Sequence, residues 1–357
     1  MDKRTYRLNR RGALSNVVGR FETIDYESFD DGWDLPEDAK RIPTTVYKET
    51  AKSVITHNDS PDVPFEQGLN PYRGCEHGCI YCYARPNHGY VNLSPGIDFE
   101  TKIFAKTNAA EILEKEISKP TYKCKTIAIG SATDPYQPSE RTMGITRSVL
   151  EVLNKYKHPV GIITKSNLIL RDIDLLSQMA KENLVSVAVS IGTLDKELAA
   201  IMEPRAPTPQ KRLEAVQRLT KQGIPVGVMS APMIPALNDY ELEFILQAAS
   251  YYGAISAGYV LVRLPYEVKE LFQEWLGEHF PLKSKHIMNL IRSTREGKEN
   301  NSDFGSRMIG SGNYAELLKK RFLLAKKRYG LDKEVKLDKT KFIRKGQSQQ
   351  LSLFCKE

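Results

Sequence analysis

The sequence predicts an α/β fold built on a parallel sheet. Two observations carry the prediction. Short β-branched apolar runs recur at 126–130, 160–164, 185–189, 224–228 and 258–262, and amphipathic segments separate them. Runs of this length without alternation read as strands buried on both faces. Strands that alternate with helical patterns fold as right-handed β/α crossovers.

The helical segments are 108–118, 145–156, 171–182, 209–222 and 240–252. The fourth is the clearest. Thr208 suits an N-cap and Pro209 the first helical position. Leu213, Val216 and Leu219 recur at three-residue spacing, and Gly223 follows as a stop. With a short strand near 68–72, the pattern makes six β/α units, in either a barrel-like or a doubly wound arrangement. Both place chemistry at the C-terminal ends of the strands. The loops of interest therefore follow Tyr72, Gly130, Thr164, Val189, Val228 and Val262.

Around this core, residues 1–60 read as an N-terminal extension, partly irregular, and 61–265 as the core. Residues 266–330 read as a helical region and 331–357 as a flexible basic tail. The stretch 303–312 is glycine-rich. No strand precedes it, so it is not a P-loop; a lid or a phosphate-contacting loop would suit it, and no role beyond a substrate loop is expected.

Charge is unevenly placed. The chain of 357 residues carries a net +8. Residues 318–346 alone hold twelve Lys/Arg against three Asp/Glu, so the remainder is close to neutral. A basic C-terminus suits a polyanionic partner; a solvated helix face leading into a polar tail accounts for the same charges. Hydrophobic and charged fractions of 41% and 27% are those of a soluble globular protein. No run of about 18 uncharged apolar residues is present, which argues against a transmembrane helix. The first residues lack the apolar stretch of a secretory signal, so a cytoplasmic protein is expected.

Five cysteines are present, and three fall within eight residues, Cys75, Cys79 and Cys82 of C-E-H-G-C-I-Y-C. This is poor material for a disulfide framework and good material for a metal site. Structural zinc needs four closed ligands, for which His77 or His88 would supply the fourth. An ordinary four-cysteine cluster needs another cysteine. Cys124 precedes Ser131, at the expected strand tip, by seven residues, an extended span of roughly 23 Å, which puts it at the opposite end of the sheet. Cys355 lies in the tail. The run reads as an incomplete ligand set. Three thiolates on a [4Fe-4S] cluster leave one iron open to chelate the amino and carboxylate groups of S-adenosyl-L-methionine (SAM). Reductive cleavage then gives methionine and a 5′-deoxyadenosyl radical.

Beyond the cysteines, several stretches carry a resemblance: N-D-S-P-D-V-P-F from 58, N-P-Y-R-G-C-E-H-G-C-I-Y-C-Y-A-R-P from 70, and L-S-P-G-I-D-F-E-T-K-I-F-A-K from 93. T-D-P-Y-Q-P from 133, I-T-K-S from 163, E-P-R-A-P from 203, A-P-M-I-P-A-L-N-D from 231 and L-V-R-L-P-Y-E-V from 261 continue it. Over about residues 58–330 the chain resembles the radical SAM superfamily, and within it a bacterial family related to spore photoproduct lyase.

The resemblance implies a partial (β/α)6 TIM-like barrel, with N-terminal extension and C-terminal helical region, and a cluster on Cys75, Cys79 and Cys82 after the first strand. It implies that Thr133, Asp134, Lys165, Ser190 and Arg205 hold SAM, with Lys165 or Arg205 pairing its carboxylate. The bland reading of each is a capping, turn or surface residue. Asp134, Tyr136, Gln137 and Glu140, after the second strand, either face substrate or belong to a long structural loop with a helix N-cap. Tyrosines flank the last cluster cysteine of the lyase, and Tyr81 and Tyr83 match them. Tyr81 is expected to pack the loop, and Tyr83 to serve radical transfer or substrate contact. Ser131 stands where the lyase has its hydrogen-donating cysteine, and a serine O–H bond is too strong to replace a thiol.

Near the C-terminus, Gln350, Leu351, Ser352, Leu353 and Phe354 resemble the short motif by which bacterial repair proteins dock on the DNA polymerase sliding clamp. Two apolar side chains in a flexible tail would fill a cleft there. The expected function is SAM cleavage directed at a DNA lesion or modified nucleobase, with a reductase or flavodoxin as electron donor and no membrane partner. The alternatives are a radical SAM enzyme acting on RNA or another substrate, and a non-catalytic iron–sulfur or zinc module of a repair complex.

Overall fold

The apolar runs become the strands of one sheet in the computed structural model, which describes residues 11–21 and 42–344. The strands are β1 (Thr45–Glu49), β2 (Thr56–His57), β3 (Gln67–Leu69), β4 (Tyr72–Arg73), β5 (Lys102–Lys106), β6 (Ile127–Ile129), β7 (Val160–Thr164), β8 (Val185–Ser190), β9 (Val226–Met233) and β10 (Ser256–Leu261). The main sheet has the order β10-β9-β8-β7-β6-β3-β2. Its six strands from β3 to β10 are mutually parallel, and β2 joins β3 antiparallel. The parallel strands follow one another in chain order. A doubly wound sheet reverses its order at a switch point; this one does not, so it is a partial barrel of six units with β10 and β2 at its edges.

Helices α1 (Ile97–Thr101), α2 (Ala109–Ile117), α3 (Glu140–Met143), α4 (Ile145–Lys155), α5 (Ile173–Lys181), α6 (Lys196–Met202), α7 (Pro209–Lys221) and α8 (Leu242–Tyr251) make the crossovers. Helix α7 starts as its sequence predicts: the Thr208 side chain accepts from Lys211 N, and Pro209 stands at the first position. Leu213, Val216 and Leu219 pack into the same core as Val187, Val226 and Val228 of the sheet. Helices α9 (Val268–His279), α10 (Ser284–Ser293) and α11 (Gly312–Arg328) form the C-terminal helical region. Among the described residues, no helix is long and apolar enough to cross a membrane.

Two parts differ from expectation. Residues 45–49 are not irregular: β1 pairs parallel with β5, and β4 pairs antiparallel with β5, in a second, three-stranded sheet. Exposed β1 (T-V-Y-K-E) has no buried face and so no apolar pattern. Backbone pairing and the stack of Tyr47 on Phe104, 5.2 Å between centroids, hold it.

The other difference is the tail. Residues 331–344 form a strap across the N-terminal ends of the strands. Lys333 N donates to Ile255 O, Asp338 N to Asn183 O and Ile343 N to Tyr156 O. Arg344 donates to the carbonyls of Pro120 and Tyr122. Those acceptors precede β10, β8, β7 and β6. The strap has no periodicity because loop carbonyls, rather than a helix of its own, satisfy its backbone and its cations. The clamp-like pentapeptide lies outside the described residues.

The strap covers a buried histidine. Phe342 packs edge-on against His158, 5.3 Å between centroids, and against Tyr122. His158 Nε2 lies 2.8 Å from the Tyr122 hydroxyl. Burial holds the imidazole down at about 4, from 6.5. Below pH 6.5 the unfolded chain gains a proton that the folded chain refuses, so stability falls as pH drops from 6.5 towards 4. We expect His158→Gln to lose about 3 kcal/mol less than wild type over that range in urea melts. Parallel curves for the two proteins would contradict this.

Candidate functional site

The cysteine loop begins where β4 ends and has no regular structure of its own. Two glycines let it turn. Gly74 and Gly78 have φ of 74° and 67°, and a Cβ on Gly78 would meet Glu100 Oε2 at 2.7 Å. Backbone bonds pin the loop: Cys75 N donates to Phe99 O (2.9 Å), Ile80 N to Met202 O (3.1 Å) and Arg205 N to His77 O (3.3 Å). Gln137 spans it, donating to Gly74 O and accepting from Glu76 N.

Buried charges do the rest. Glu100 accepts from Arg85 Nη2 (2.5 Å) and from the backbone N–H groups of Gly12 (3.0 Å) and Ala13 (2.8 Å). Arg85 turns its other donors to the carbonyls of Cys79, Pro95 and Gly96. The N-terminal segment is thereby laid over the loop, with Ala13 packed against Cys79 and Ile80 in one apolar cluster. Glu76 accepts from Ser139 N (2.7 Å) and Arg205 Nη2 (2.9 Å). Glu203 receives the Tyr81 hydroxyl and pairs with buried Arg212, which also donates to Ser190 O.

Cys75 and Cys79 are buried, Cys82 is partly so, and all three are free. Burial pushes the Cys75 and Cys79 thiols up, and the neighbouring cysteines add to this. Among the described residues, no three His, Cys, Asp or Glu side chains are already drawn together as metal ligands. The chemistry of the donor set nevertheless fits an open iron–sulfur site. Of the hard donors of the loop, Glu76 is engaged by Ser139 and Arg205, while His77 Nδ1 stands 3.4 Å from the Asp134 carboxylate without closing a hydrogen bond. The soft thiols are what remain. Cys124, before β6, lies beside Lys339 of the strap at the other end of the sheet.

The sequence-predicted polar residues do gather at the strand tips, in different states. Asp134 is at the centre of a lock. It accepts from Thr164 Oγ1 (2.7 Å), Lys165 N (2.7 Å) and Tyr136 N (2.9 Å). Burial would raise its carboxyl; His77, the Lys165 N–H and the Thr164 hydroxyl overcome this and hold it at about 2. The Thr133 hydroxyl is spent on Tyr72 O (2.9 Å), and Arg205 on Glu76. Lys165 differs: its Nζ lies 5.8 Å from the Tyr81 ring, and its charge acts on Cys79. Buried Ser190 ends β8. Tyr83 is 48% exposed and donates to Ser131 O.

Tyr136, Gln137 and Glu140 do not face the mouth of the barrel. All are buried: Gln137 on the cysteine loop, Tyr136 on Asp172, Glu140 on Tyr72 and Arg171. The segment after β6 turns back under the loop it supports. Sequence reasoning missed Glu76, Glu100, Arg85, Glu203 and Arg212. All but Arg212 stood inside the quoted motifs, the only signal they gave.

A family model described as the Radical SAM superfamily matches residues 69–249. An uncharacterized protein of Mycobacterium tuberculosis is 36% identical over 221 residues, 61% of this chain and 65% of that protein, so the match spans less than two thirds of that relative. An uncharacterized protein of Methanocaldococcus jannaschii is 27% identical over 244 residues, 68% of this chain and 87% of that protein. Among solved structures, spore photoproduct lyase complexed with a dinucleoside spore photoproduct superposes with a TM-score of 0.57 at 13% identity, over 85% of each chain.

The N-terminal segment yields a prediction. A Cβ on Gly12 would sit 1.7 Å from Gly78 O, so Gly12→Ala must lift the segment off the cysteine loop. We expect a loss of about 1–2 kcal/mol and roughly fivefold faster labelling of the metal-free protein's thiols by Ellman's reagent. Unchanged labelling would show that the segment does not shield the loop.

Proposed function

This chain belongs to the radical SAM superfamily, and we propose that it cleaves SAM reductively at a [4Fe-4S] cluster held by Cys75, Cys79 and Cys82, in order to act on a lesion or modified nucleobase in DNA. Membership implies the cluster and SAM. The bound cofactors supply a 5′-deoxyadenosyl radical.

The chain's own residues bind and orient. The observation that carries the reading is the loop: three free thiols within eight residues, with the neighbouring carboxylate of Glu76 engaged by Arg205. Lys165 presents a cation beside it with no carboxylate at ion-pair distance among the described residues, and suits the SAM carboxylate. The Ser190 hydroxyl stands one strand further on. Thr133, Asp134 and Arg205 act through the loop: they position it by binding Tyr72, Lys165 and Glu76. Tyr83, half exposed at the mouth, contacts substrate. Ala13 and Ile80 keep water from the thiols.

DNA is supported by chemistry outside the loop. Helix α11 exposes Lys319, Lys320, Lys327 and Arg328 to solvent, a sequence-independent attraction for phosphates. Spore photoproduct lyase, similar in fold, has been solved with a dinucleoside photoproduct. Recruitment to the sliding clamp through Gln350, Leu353 and Phe354 belongs to the same proposal. It predicts that a peptide of residues 346–357 binds the clamp in calorimetry, and no heat would remove this route.

The test of the main reading is turnover. Reconstituted protein with SAM and dithionite, or flavodoxin and its reductase, forms 5′-deoxyadenosine, and single-stranded or duplex DNA stimulates it more than tRNA does. Cys79→Ala abolishes it with the fold retained. Lys165→Met raises KM for SAM by about tenfold, the worth of one charge-assisted hydrogen bond. No deoxyadenosine from wild type would end the enzyme reading, and stimulation by tRNA alone would end the DNA reading.

A further inference from the structure

The edges of the open sheet are bridged on one side of the mouth. Beside β10, Leu261 N donates to Met308 O. Beside β2 and β3, the loop from Asn58 to Glu66 carries Asp62 and Ser60. Arg307 joins the two edges, donating to Asp62 and Ser60, and Gly305 N donates to Asp62 Oδ1 (2.7 Å).

Three guanidiniums meet at this seam. Arg295 is 1% exposed and spends its terminal nitrogens on four carbonyls, of Leu261, Val262, Ser306 and Arg307. Arg307 is paired with Asp62. Arg263, just past β10, has no carboxylate at ion-pair distance among the described residues. Its Nη1 reaches only Met308 Sδ, at 3.8 Å. Its Nε is buried and unpartnered, as is that of Arg295. Burial and the adjacent Arg307 both disfavour the Arg263 charge. Among the described residues, Asp62 thus pairs with Arg307 and acts on Arg263 only from beyond ion-pair distance, in a half-buried place where a lone guanidinium is costly.

Arg263 also has a direction. Its guanidinium carbon lies 5.5 Å from the ring centre of Tyr83, the residue after Cys82. Tyr83 is tied to Ser131, past β6. The surplus charge thus faces the mouth, across from the cysteine loop. An aromatic face beside a guanidinium fork is a pairing that takes a base and its phosphate together.

We propose that Arg263, assisted by Arg307 and flanked by the Tyr83 ring, is a phosphodiester subsite that seats a backbone phosphate of a DNA strand next to the nucleotide at the cysteine loop. This deepens the DNA reading of the preceding subsection and rests on it. Arg295 and the Arg307–Asp62 pair fix the shape of the subsite, and the unpaired charge of Arg263 provides its affinity.

The experiment measures binding of short fluorescein-labelled single-stranded DNA to the full-length holoprotein by anisotropy, over a range of salt. Arg263→Gln weakens binding about tenfold and flattens the slope of log affinity against log salt by about 0.7, one phosphate contact on a single strand. Arg263→Lys keeps the slope and recovers part of the affinity, which separates lost charge from misfolding. DNA, and not millimolar inorganic phosphate, slows modification of Arg263 by phenylglyoxal. If wild type binds DNA and Arg263→Gln matches it in affinity and slope, the subsite is wrong and the DNA reading stands. If wild type binds no DNA, the DNA reading falls and the subsite with it. Equal protection by inorganic phosphate would make the ligand a free anion and overturn the strand assignment.

Discussion

Glu100 lies fully buried beneath the cysteine loop, and its carboxylate gathers Arg85 and the N–H groups of Gly12 and Ala13. Its partner Arg85 is equally buried and holds the carbonyls of Cys79, Pro95 and Gly96. One ion pair thereby ties four separate pieces of chain: the N-terminal segment, the cysteine loop, the loop before α1, and α1 itself. Removing either partner would leave an uncompensated buried charge, a penalty of about 3–5 kcal/mol. A loop without secondary structure can keep three thiols in place only if something over-determines it, and this pair, with Glu76–Arg205 and Glu203–Arg212, does so.

The same pairs explain why the loop presents sulfur. Glu76, Glu100 and Glu203 near the cysteines are each committed to a guanidinium, and His77 Nδ1 lies 3.4 Å from the Asp134 carboxylate. Asp134 in turn bonds Lys165 N, so the position of the loop after β6 and that of the lysine after β7 are set together. Lys165 keeps its ammonium for something else. Polar residues at the strand tips thus divide into those that build the floor of the site and those left facing it. Arg263 belongs with the second group, at the seam where Arg307 bridges the two sheet edges.

Much of this was legible in the sequence, for identifiable reasons. The six strands and five of the crossover helices announced themselves by β-branched runs and apolar spacing, because burial on both faces of a parallel sheet leaves few alternatives. The cysteine loop was legible from spacing alone. Side-chain roles at the strand tips were less so: Thr133, Asp134 and Arg205 looked like ligand contacts, yet their polar groups meet protein partners across long sequence separations, which no local pattern encodes. Glu100 and Arg85 stood inside the quoted motifs, but their pairing was hidden for the same reason. The strap at 331–344 read as a free tail because it is held by backbone bonds to loops, and β1 read as irregular because it buries no face. Whether the strand order closed a barrel or reversed was settled by pairing, through the unbroken sequence of parallel neighbours from β3 to β10.

The central claim is that the cysteine loop is an open site of three thiolates that meets SAM directly. The most direct measurement is the electron paramagnetic resonance spectrum of the reduced, reconstituted protein before and after adding SAM, in wild type and Cys124→Ala. The account predicts a 4Fe–4S signal that changes on SAM addition, and does so equally in both proteins, since Cys124 sits at the far end of the sheet. A signal indifferent to SAM, or a cluster lost with Cys124, would show a closed four-cysteine site and contradict the account.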